Sequence, residues 1–436
     1  MLSNRINSFV FFVLFVVVAV TGCKKEDGYS HQSGAPMRVD DFVGKQGGGG
    51  TEILISGVNF SSDPAEIEVT INGNKLAVIG SNGRQIMAVV PKKCGSGKVV
   101  VRIGNDVAES EAIFNYIFTR TVTTFAGSGV PGFANGKGTD AMFNFGGQNW
   151  YRSQGIAVDD DLNVYVADPG NACIRKIDST GNVTTLAGNP NSPGHQDGKG
   201  SAARFNIPYD VAVDNDGNVY SVDPANWDIR KISPDGEAVT LAWASQEPWS
   251  VAVDPTTNQP YYASVTGGSI FHVPGSMQSN PILSGLVYPA GIDFDRDGNL
   301  YVVGHGEHVI YRFTKGDWTG SVIAGQLWVS GYAHGAGTSA LFSNPWGIAV
   351  DHQGNVYTAG NGTWDGGTYN ADQGIRFIKA GSWEVSAFAG SSSAGYADAI
   401  GEAAAFSAPT GVAVDKNGTV YVMDKNNHRI RKIVSE

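Results

Sequence analysis

The sequence predicts an all-β protein in which a small β-sandwich precedes a six-bladed β-propeller. A chain of 436 residues exceeds what one hydrophobic core usually organises, so two or more domains are expected. Its 58 glycines, 18 prolines and 42% hydrophobic residues are typical of a folded, turn-rich β protein, and charged residues make up only 16%. A short motif also recurs six times between residue 155 and residue 415.

The N-terminal residues predict a cleaved leader and a tether. Arg5 precedes an apolar run over 9–20, which is too short and too one-sided for a stable transmembrane span. The run ends in Val20-Thr21-Gly22-Cys23, which resembles the lipobox of bacterial lipoproteins. That resemblance implies a signal peptide over 1–22, acylation of Cys23 and a tether over 23–36. An ordinary secretory signal with an incidental cysteine is the alternative.

Charge and cysteine content bear on compartment and partners. Lys24-Lys25-Glu26-Asp27 resembles the tag that sends some Gram-negative lipoproteins to the outer face of the outer membrane, which implies a lipid-anchored protein facing outward. A formal net charge of −11 makes the chain a poor partner for nucleic acid. Cys94 and Cys173 fall in separate predicted domains, and the sequence has no zinc-type Cys/His spacing. We therefore expect no disulfide, metal or other cofactor.

Residues 37–118 predict the sandwich. Short apolar runs alternate with turn signals, about seven strands in 80 residues, and the pair Asn72-Gly73 is a strong hairpin signal. The segments GT at 50–51, SGVNF at 56–60, VP at 90–91 and FNY at 114–116 resemble those of TIG/IPT immunoglobulin-like domains. The resemblance implies a spacer or contact module rather than a site.

The remainder, 119–436, is a repeat array. The copies are GIAVD at 155–159, DVAVD at 210–214, SVAVD at 250–254, GIDFD at 291–295, GIAVD at 347–351 and GVAVD at 411–415. Most continue into a second strand such as GNVY, a third such as IRKI and a fourth such as VTTLAG at 183–188. This pattern resembles the NHL repeat, which implies six blades of four strands each.

The ends of the array predict a closed ring. The sixth copy stops after its third strand, near Glu436, and the missing fourth strand stands instead at the start, as VTTFAG at 122–127. Pairing of residues 121–127 with the blade over 411–433 would leave no open sheet edge. We therefore predict a propeller closed by an N-terminal outer strand.

Four of the repeats are preceded by insertions of one pattern, roughly GxxxxxGxxAxF, at 132–143, 194–205, 331–342 and 395–406. We place this extra length on the face that carries the loops from fourth to first strands and from second to third strands, here called the upper face. The shared pattern favours a shared structural role, such as packing the terminal phenylalanines Phe143, Phe205, Phe342 and Phe406 over the blade tops.

The upper face also carries the candidate ligand-binding residues. Just before the repeat cores stand Tyr209, Trp249 and Trp346, and the second-to-third-strand loops add Trp227, Trp364, Tyr369, His305 and His308. Exposed aromatic faces beside short polar groups suit sugar rings. The alternative is that these aromatics plug the channel or pack under the insertions. Asp293 is unusual because the other five copies have alanine there, so it is either a channel-edge group or a tolerated substitution.

Three classes of function follow. The first is a non-catalytic surface lipoprotein that binds a glycan on the upper face. The second is a propeller enzyme, a lyase or a metal-dependent hydrolase, because related six-bladed propellers include such enzymes. The third is a protein-interaction scaffold with a protein ligand on the same face. Fold resemblance alone does not decide among them.

Overall fold

The computed structural model describes residues 29–146, 154–275, 280–360 and 372–436. The chain divides into two compact units, Met1–Ile117 and Phe118–Glu436. Cys23 and the charged tag after it lie outside the described residues. Within the described ranges, no helix is long and apolar enough to cross a membrane.

The first unit is a sandwich of two sheets. Its strands are β1 Arg38–Val43, β2 Gln46–Gly47, β3 Glu52–Val58, β4 Ile67–Ile71, β5 Asn74–Lys75, β6 Ala77–Ser81, β7 Gln85–Val89, β8 Gly97–Ile103 and β9 Asp106–Tyr116, with a 3-10 turn at Pro64–Glu66. The sheet orders are β1-β3-β7-β6 and β2-β9-β8-β4-β5. Alternate side chains of β4 point into the core, which buries Ile67, Val69 and Ile71. Asn72 and Gly73, both at positive φ, form the predicted hairpin between β4 and β5.

The second unit contains twenty-seven strands among its described residues. They are β10 Arg120–Ala126, β11 Gly136–Lys137, β12 Ile156–Val158, β13 Val164–Asp168, β14 Cys173–Ile177, β15 Asn182–Gly188, β16 Gly198–Lys199, β17 Asp210–Val213, β18 Val219–Asp223, β19 Asp228–Ile232, β20 Glu237–Trp243, β21 Ser250–Asp254, β22 Gln259–Ser264, β23 Ser269–His272, β24 Pro281–Ser284, β25 Pro289–Phe294, β26 Leu300–Gly304, β27 Val309–Phe313, β28 Gly320–Ala324, β29 Gly335–Ala336, β30 Pro345–Val350, β31 Val356–Gly360, β32 Ile375–Ile378, β33 Glu384–Ala389, β34 Pro409–Val414, β35 Val420–Asp424 and β36 Arg429–Ser435. Its 3-10 turns are Gly138–Asp140, Pro169–Asn171, Gly200–Ala202, His305–Glu307, Gly337–Ser339, Gly401–Ala403 and Lys425–Asn427.

These strands form six antiparallel sheets in the described part of the unit, one for each repeat, which we number as blades one to six. The inner strands β12, β17, β21, β25, β30 and β34 contact one another in that order, and β34 contacts β12 again. The six sheets therefore close into a ring, as the repeat pattern predicts.

The ring is closed by the displaced strand. β10 pairs antiparallel with β36, with Thr121 opposite Val434 and Val122 opposite Ile433, and Val122 is buried. The predicted pairing of residues 121–127 with the sixth blade is confirmed. The outer edge of that blade is therefore paired by a segment that precedes the whole array.

The turns between first and second strands are structural, as their sequence indicates. In blade two, Asp214 accepts hydrogen bonds from the side chains of Asn218 and Tyr220, at 2.9 and 3.0 Å. Blade five repeats this arrangement with Asp351, Asn355 and Tyr357. The last aspartate of the repeat core thus fixes the turn that follows it.

Each insertion is held by an arginine of the third strand. The four arginines are fully buried and donate to two backbone carbonyls of the insertion beside them; they are Arg175, Arg230, Arg376 and Arg431. Blades three and four, which have no insertion, carry Phe271 and Tyr311 at this position. The phenylalanine that ends each insertion is buried, which confirms the predicted packing.

The insertions are not confined to the upper face. β11, β16 and β29 are two-residue strands of the insertions that pair with the lower halves of β15, β20 and β33. Part of the extra length therefore runs down the outside of the blade as a fifth strand.

Candidate functional site

The upper end of the channel is closed by the residues that precede the repeat cores. Each is at most 5% exposed, and the six are Gln154, Tyr209, Trp249, Ala290, Trp346 and Thr410. The rings of Tyr209 and Trp249 lie 5.3 Å apart between centroids. This burial corrects the rim exposure predicted for Trp249 and Trp346, and for Tyr209 it agrees with the alternative that these aromatics plug the channel or pack under the insertions. Six inner strands converge at this level, so large side chains there fill the space between them and leave no face for a sugar.

The two neighbouring histidines hold the segment that leads into β30. His305 is buried, its Nδ1 lies 3.1 Å from the carbonyl oxygen of Pro345, and its ring meets that of Trp346 edge to face. His308 accepts a hydrogen bond from the backbone N–H of Asn344 at its Nδ1. Burial lowers the pKa of His308. Both side chains therefore have packing and positioning roles within blades four and five.

Trp227 is the predicted site residue that the structure leaves open to solvent. It is 47% exposed, and its backbone has a positive φ of 61°. Its N–H donates to the Asp223 carbonyl and its carbonyl accepts from Ala244, so the residue is fixed at the end of the ladder between β19 and β20. Trp364 and Tyr369 lie outside the described residues and stay predictions.

A second exposed tryptophan, Trp243, stands beside Trp227 at the end of β20. Trp243 pairs with Asp228 across the ladder, and its ring lies 4.8 Å from that of His195. The Nε2 of His195 is 3.3 Å from a carboxylate oxygen of Asp228, and burial raises the pKa of Asp228 to about 8. We call Trp227, Trp243, His195 and Asp228 the blade-two rim. Trp243 was not predicted from the sequence, although the sequence contains a signal for it. Fourth strands that end in this way have Ala-Gly in the other blades, whereas the fourth strand of blade two ends in Ala-Trp.

Among the tryptophans that the structure describes, Trp328 is the most exposed; it lies on the connection from blade four to blade five and was not predicted. It is 64% exposed, and its N–H donates to the carbonyl of Glu307 in the turn His305–Glu307. On the other side of this turn, the exposed ring of Tyr288 lies against Gly306, where an added Cβ would come within 2.8 Å of the ring. We call Tyr288, Glu307 and Trp328 the blade-four rim. Trp328 precedes the shared insertion pattern at 331–342. The residues equivalent to Tyr288 in blades five and six are Asn344 and Ala408, so no recurring aromatic residue marked this position.

Below the closed upper end lies a cavity of about 370 Å³ along the ring axis. It is lined by the inner strands of all six blades, and Asp293 is among the lining residues. The two carboxylate oxygens of Asp293 accept from the backbone N–H groups of Phe294, at 2.8 Å, and of Val350, at 2.7 Å. The structure thus places Asp293 at the channel, one of the two interpretations that the sequence allowed.

A second carboxyl group, that of Asp210, lines the same cavity. Burial raises the pKa of Asp210 to about 7 and that of Asp293 to about 7, and for Asp293 the negative charge of Asp210 contributes as well. A raised pKa for two neighbouring carboxyls is the expected result of desolvation and like charge together.

The fold and these features define a class of protein, an immunoglobulin-like sandwich joined to a closed propeller of NHL type. Residues 39–118 match the IPT/TIG domain, and residues 406–433 match the NHL repeat. The two matches fall on the first unit and on blade six, where the sequence pattern indicated them.

Two curated relatives resemble the larger part of the chain. The chloroplastic protein SUPPRESSOR OF QUENCHING 1 of Arabidopsis thaliana is 27% identical over 330 residues, 72% of this chain and 27% of that protein. NHL repeat-containing protein 2 of Bos taurus is 24% identical over 323 residues, 69% of this chain and 40% of that protein. The chain therefore spans well under half the length of the curated relatives it matches.

Three solved structures resemble most of the chain. A Bacteroides thetaiotaomicron protein of unknown function has a TM-score of 0.64 and 20% identity, with 93% of this chain and 100% of that chain covered. An auxiliary nutrient binding protein of the same organism gives 0.57 and 22%, with 93% and 99% covered. One from Bacteroides ovatus gives 0.57 and 21%, with 93% and 100% covered. At these identities the likeness establishes the fold.

Proposed function

We propose that the protein is a non-catalytic, lipid-anchored binding protein of the bacterial outer surface whose upper face binds a carbohydrate. The observation that carries the proposal is the set of exposed aromatic rings on the upper-face loops. Trp227 and Trp243 stand on the blade-two rim, and Tyr288 and Trp328 on the blade-four rim. A large aromatic ring left exposed on a rigid loop offers an apolar face for the C–H groups of a sugar.

The surroundings of these rings support a polar ligand. Asp228 and His195 lie beside Trp243, and Glu307 lies in the turn that Tyr288 and Trp328 flank. Sugars carry hydroxyl groups next to C–H faces, so they match a surface on which the partly exposed imidazole of His195 adjoins aromatic rings. Two fold neighbours named auxiliary nutrient binding proteins are consistent with this role.

The lipid anchor and the location are parts of the same proposal. They rest on Cys23 with its lipobox-like sequence and on the charged residues that follow it. A binding protein held by an N-terminal lipid would present the propeller away from the membrane surface. The sandwich would then serve as a spacer.

The test is binding of the purified protein to a panel of polysaccharides, followed by titration of rim variants. Trp328→Ala should weaken binding by about 1–3 kcal/mol, the usual cost of removing an aromatic anchor. The melting temperature of the Trp328→Ala variant should stay unchanged, because the Trp328 side chain is mostly in solvent. Trp383→Ala is the control, since Trp383 lies in a third-to-fourth-strand connection on the opposite face. If Trp328→Ala binds every polysaccharide with the same affinity as the unmodified protein, Trp328 is not part of the binding site.

A protein ligand is the second candidate, and a specific observation favours it. Leu327 and Val329, on either side of Trp328, are also exposed. Three adjacent apolar side chains suit a protein surface better than a sugar ring. If no polysaccharide binds and Leu327→Ser reduces capture of a surface protein as strongly as Trp328→Ala does, the scaffold function replaces the carbohydrate one.

A further inference from the structure

The two aromatic rims lie at the two ends of the part of the upper face that has no insertion. The insertion at 194–205 precedes blade two and supplies His195 to the blade-two rim. The insertion at 331–342 precedes blade five and follows Trp328 of the blade-four rim. The repeats of blades three and four begin without an insertion. Between the rims the upper face therefore consists of three short segments, 244–247, 265–268 and 284–287, which we call the blade-three floor.

The floor is joined directly to the blade-two rim. Ala244 follows Trp243 in the chain, and its N–H donates to the carbonyl of Trp227 at 2.8 Å. Two residues further on, the side chain of Gln246 lies against Gly267, where an added Cβ would come within 1.7 Å of the Gln246 Oε1. Only glycine allows the two segments to approach so closely, so the first half of the floor is a continuous surface.

The second half of the floor leads without a gap to the blade-four rim. The N–H of Leu286 donates to the carbonyl of Gly268 at 3.1 Å, and the N–H of Gly306 donates to the carbonyl of Val287 at 3.2 Å. Tyr288 follows Val287, and its ring lies against Gly306. Backbone and side-chain contacts thus connect the exposed rings of one rim to those of the other across blade three.

The exposed side chains of the floor are small and uncharged. The charged residue of these three segments, Glu247, is only partly exposed. Hydroxyl groups can both donate and accept hydrogen bonds, which suits the hydroxyl groups of a neutral sugar chain. The floor therefore offers space and weakly polar contacts between two larger aromatic surfaces. Its exposed residues are Ser245, Thr266, Gly267, Ser284 and Gly285.

The distance between the rims sets the size of a ligand that contacts both. Blades two and four each pack on blade three, since the inner strand β21 contacts both β17 and β25. Neighbouring sheets pack about 10 Å apart, so the two rims are at least about 20 Å apart. A disaccharide is shorter than this distance and an extended hexasaccharide is longer.

We propose that the upper face binds an unbranched, uncharged polysaccharide that lies across blade three, with one sugar unit on the blade-two rim and another on the blade-four rim. This inference rests on the proposed carbohydrate function and specifies the kind of carbohydrate. Once one rim has bound, the second contact is made within the same complex at a high effective concentration. Affinity therefore increases with chain length until the chain spans both rims.

The test is calorimetric titration of the purified protein with linear oligosaccharides of two, four, six and eight units. The series are β-1,4-linked glucose, xylose and mannose, and α-1,4-linked glucose. For the series that binds, the hexasaccharide should bind at least tenfold more tightly than the disaccharide, and the octasaccharide should bind like the hexasaccharide. Tyr288→Ala should reduce the affinity for the hexasaccharide at least tenfold, because only the blade-two rim then remains.

A steric variant tests the path between the rims. Thr266 is exposed in the upper-face loop between β22 and β23 of blade three. Thr266→Leu places a larger side chain without a hydrogen-bonding group on the floor and should weaken hexasaccharide binding at least fivefold, with disaccharide binding unchanged. Thr257→Leu is the matched control, since Thr257 is exposed in the turn between β21 and β22, on the opposite face of the same blade. It should leave both affinities unchanged.

The outcomes separate this inference from the function on which it rests. Equal affinities for the disaccharide and the hexasaccharide would overturn the crossing of blade three but leave a carbohydrate site at one rim. Equal hexasaccharide affinities of Thr266→Leu and Thr257→Leu would also overturn it. Binding of a polysaccharide, but of none of these oligosaccharides, would show that the ligand is of another kind. If no carbohydrate of any length binds, the proposed function fails and this inference fails with it.

Discussion

Replacing Arg175 with leucine tests whether the third-strand arginines hold the insertions. Arg175 is fully buried and donates to the carbonyls of Ala134, at 2.7 Å, and Met142, at 3.0 Å. It also donates to Asp168, at 2.8 Å, and that carboxylate is fully buried too. Leucine would fill part of the volume but would leave two carbonyls without their donor and one carboxylate without its counter-ion.

The expected loss can be estimated from these contacts. Breaking a buried ion pair by removing one partner costs about 3–5 kcal/mol, because the other charge stays desolvated. For a unit of roughly 300 residues, whose unfolding entropy is about 2.1 cal/mol/K per residue, that loss lowers the melting temperature by about 5–8 °C. The Arg175→Leu variant should show this shift in a thermal melt followed by circular dichroism at pH 7.5.

A matched variant sharpens the prediction. Arg230 occupies the same place in blade two and also donates to two insertion carbonyls, but its ion-pair partner, Asp197, is 48% exposed. A carboxylate in water loses little when its partner is removed. Arg230→Leu should therefore cost about 1–3 kcal/mol, clearly less than Arg175→Leu.

Limited proteolysis gives an independent reading of the same effect. Release of the insertion in Arg175→Leu should speed tryptic cleavage after Lys137 and leave tryptic cleavage after Lys199 and Arg204 unchanged. Arg230→Leu should show the reverse. Equal melting temperatures for the two variants, or cleavage that is the same as in the unmodified protein, would refute the idea that each arginine holds its own insertion.

Three further outcomes are expected. Cys23→Ser should remove the protein from the detergent-extractable membrane fraction, because the lipobox-like cysteine is the proposed anchor; unchanged retention on fractionation would contradict the lipoprotein interpretation. Trp346→Ala should lower the melting temperature by about 5–8 °C, since truncating a buried tryptophan costs about 3–5 kcal/mol. Asp293→Ala should gain stability relative to the unmodified protein as pH rises from about 4 to about 7, because burial raises the pKa of Asp293 to about 7 and its ionisation therefore opposes folding across that window; a flat difference in melting temperature between pH 4.5 and pH 8.5 would contradict this.

The fold could be predicted because each repeat carries its own local signals. The last aspartate of each core, the Gly/Asn turn and the alternating strand that follows require no knowledge of the rest of the chain. The closing strand could be predicted equally well. The fourth-strand sequence VTTFAG at 122–127 is not preceded by the first three strands of a repeat, and the last repeat has no fourth strand after its third. Both halves of that mismatch are visible in one sequence.

The candidate site was harder to predict from the sequence, because the exposure of side chains at the ring axis depends on the distances between blades. Tyr209, Trp249 and Trp346 begin inner strands, and the sequence does not say how far those strands stand apart. The ring is narrow enough for their side chains to fill its upper end, so residues that look like a binding surface are core. Trp328 and Tyr288 were missed for a different reason, since no aromatic residue recurs at these places in the repeats to indicate a binding surface.

The closed upper end also determines how any upper-face ligand must bind. Since Tyr209, Trp249 and Trp346 occupy the axis, a ligand on that face can contact the rims of blades two and four but cannot enter the channel from there. Substitutions at the axis and at the rims then have separable effects. Trp346→Ala should weaken binding only in proportion to the fraction of protein that unfolds, whereas Trp328→Ala should weaken binding at an unchanged melting temperature. If Trp346→Ala weakened binding while the variant remained fully folded, the upper end of the channel would have to open in solution so that the ligand could reach Trp346.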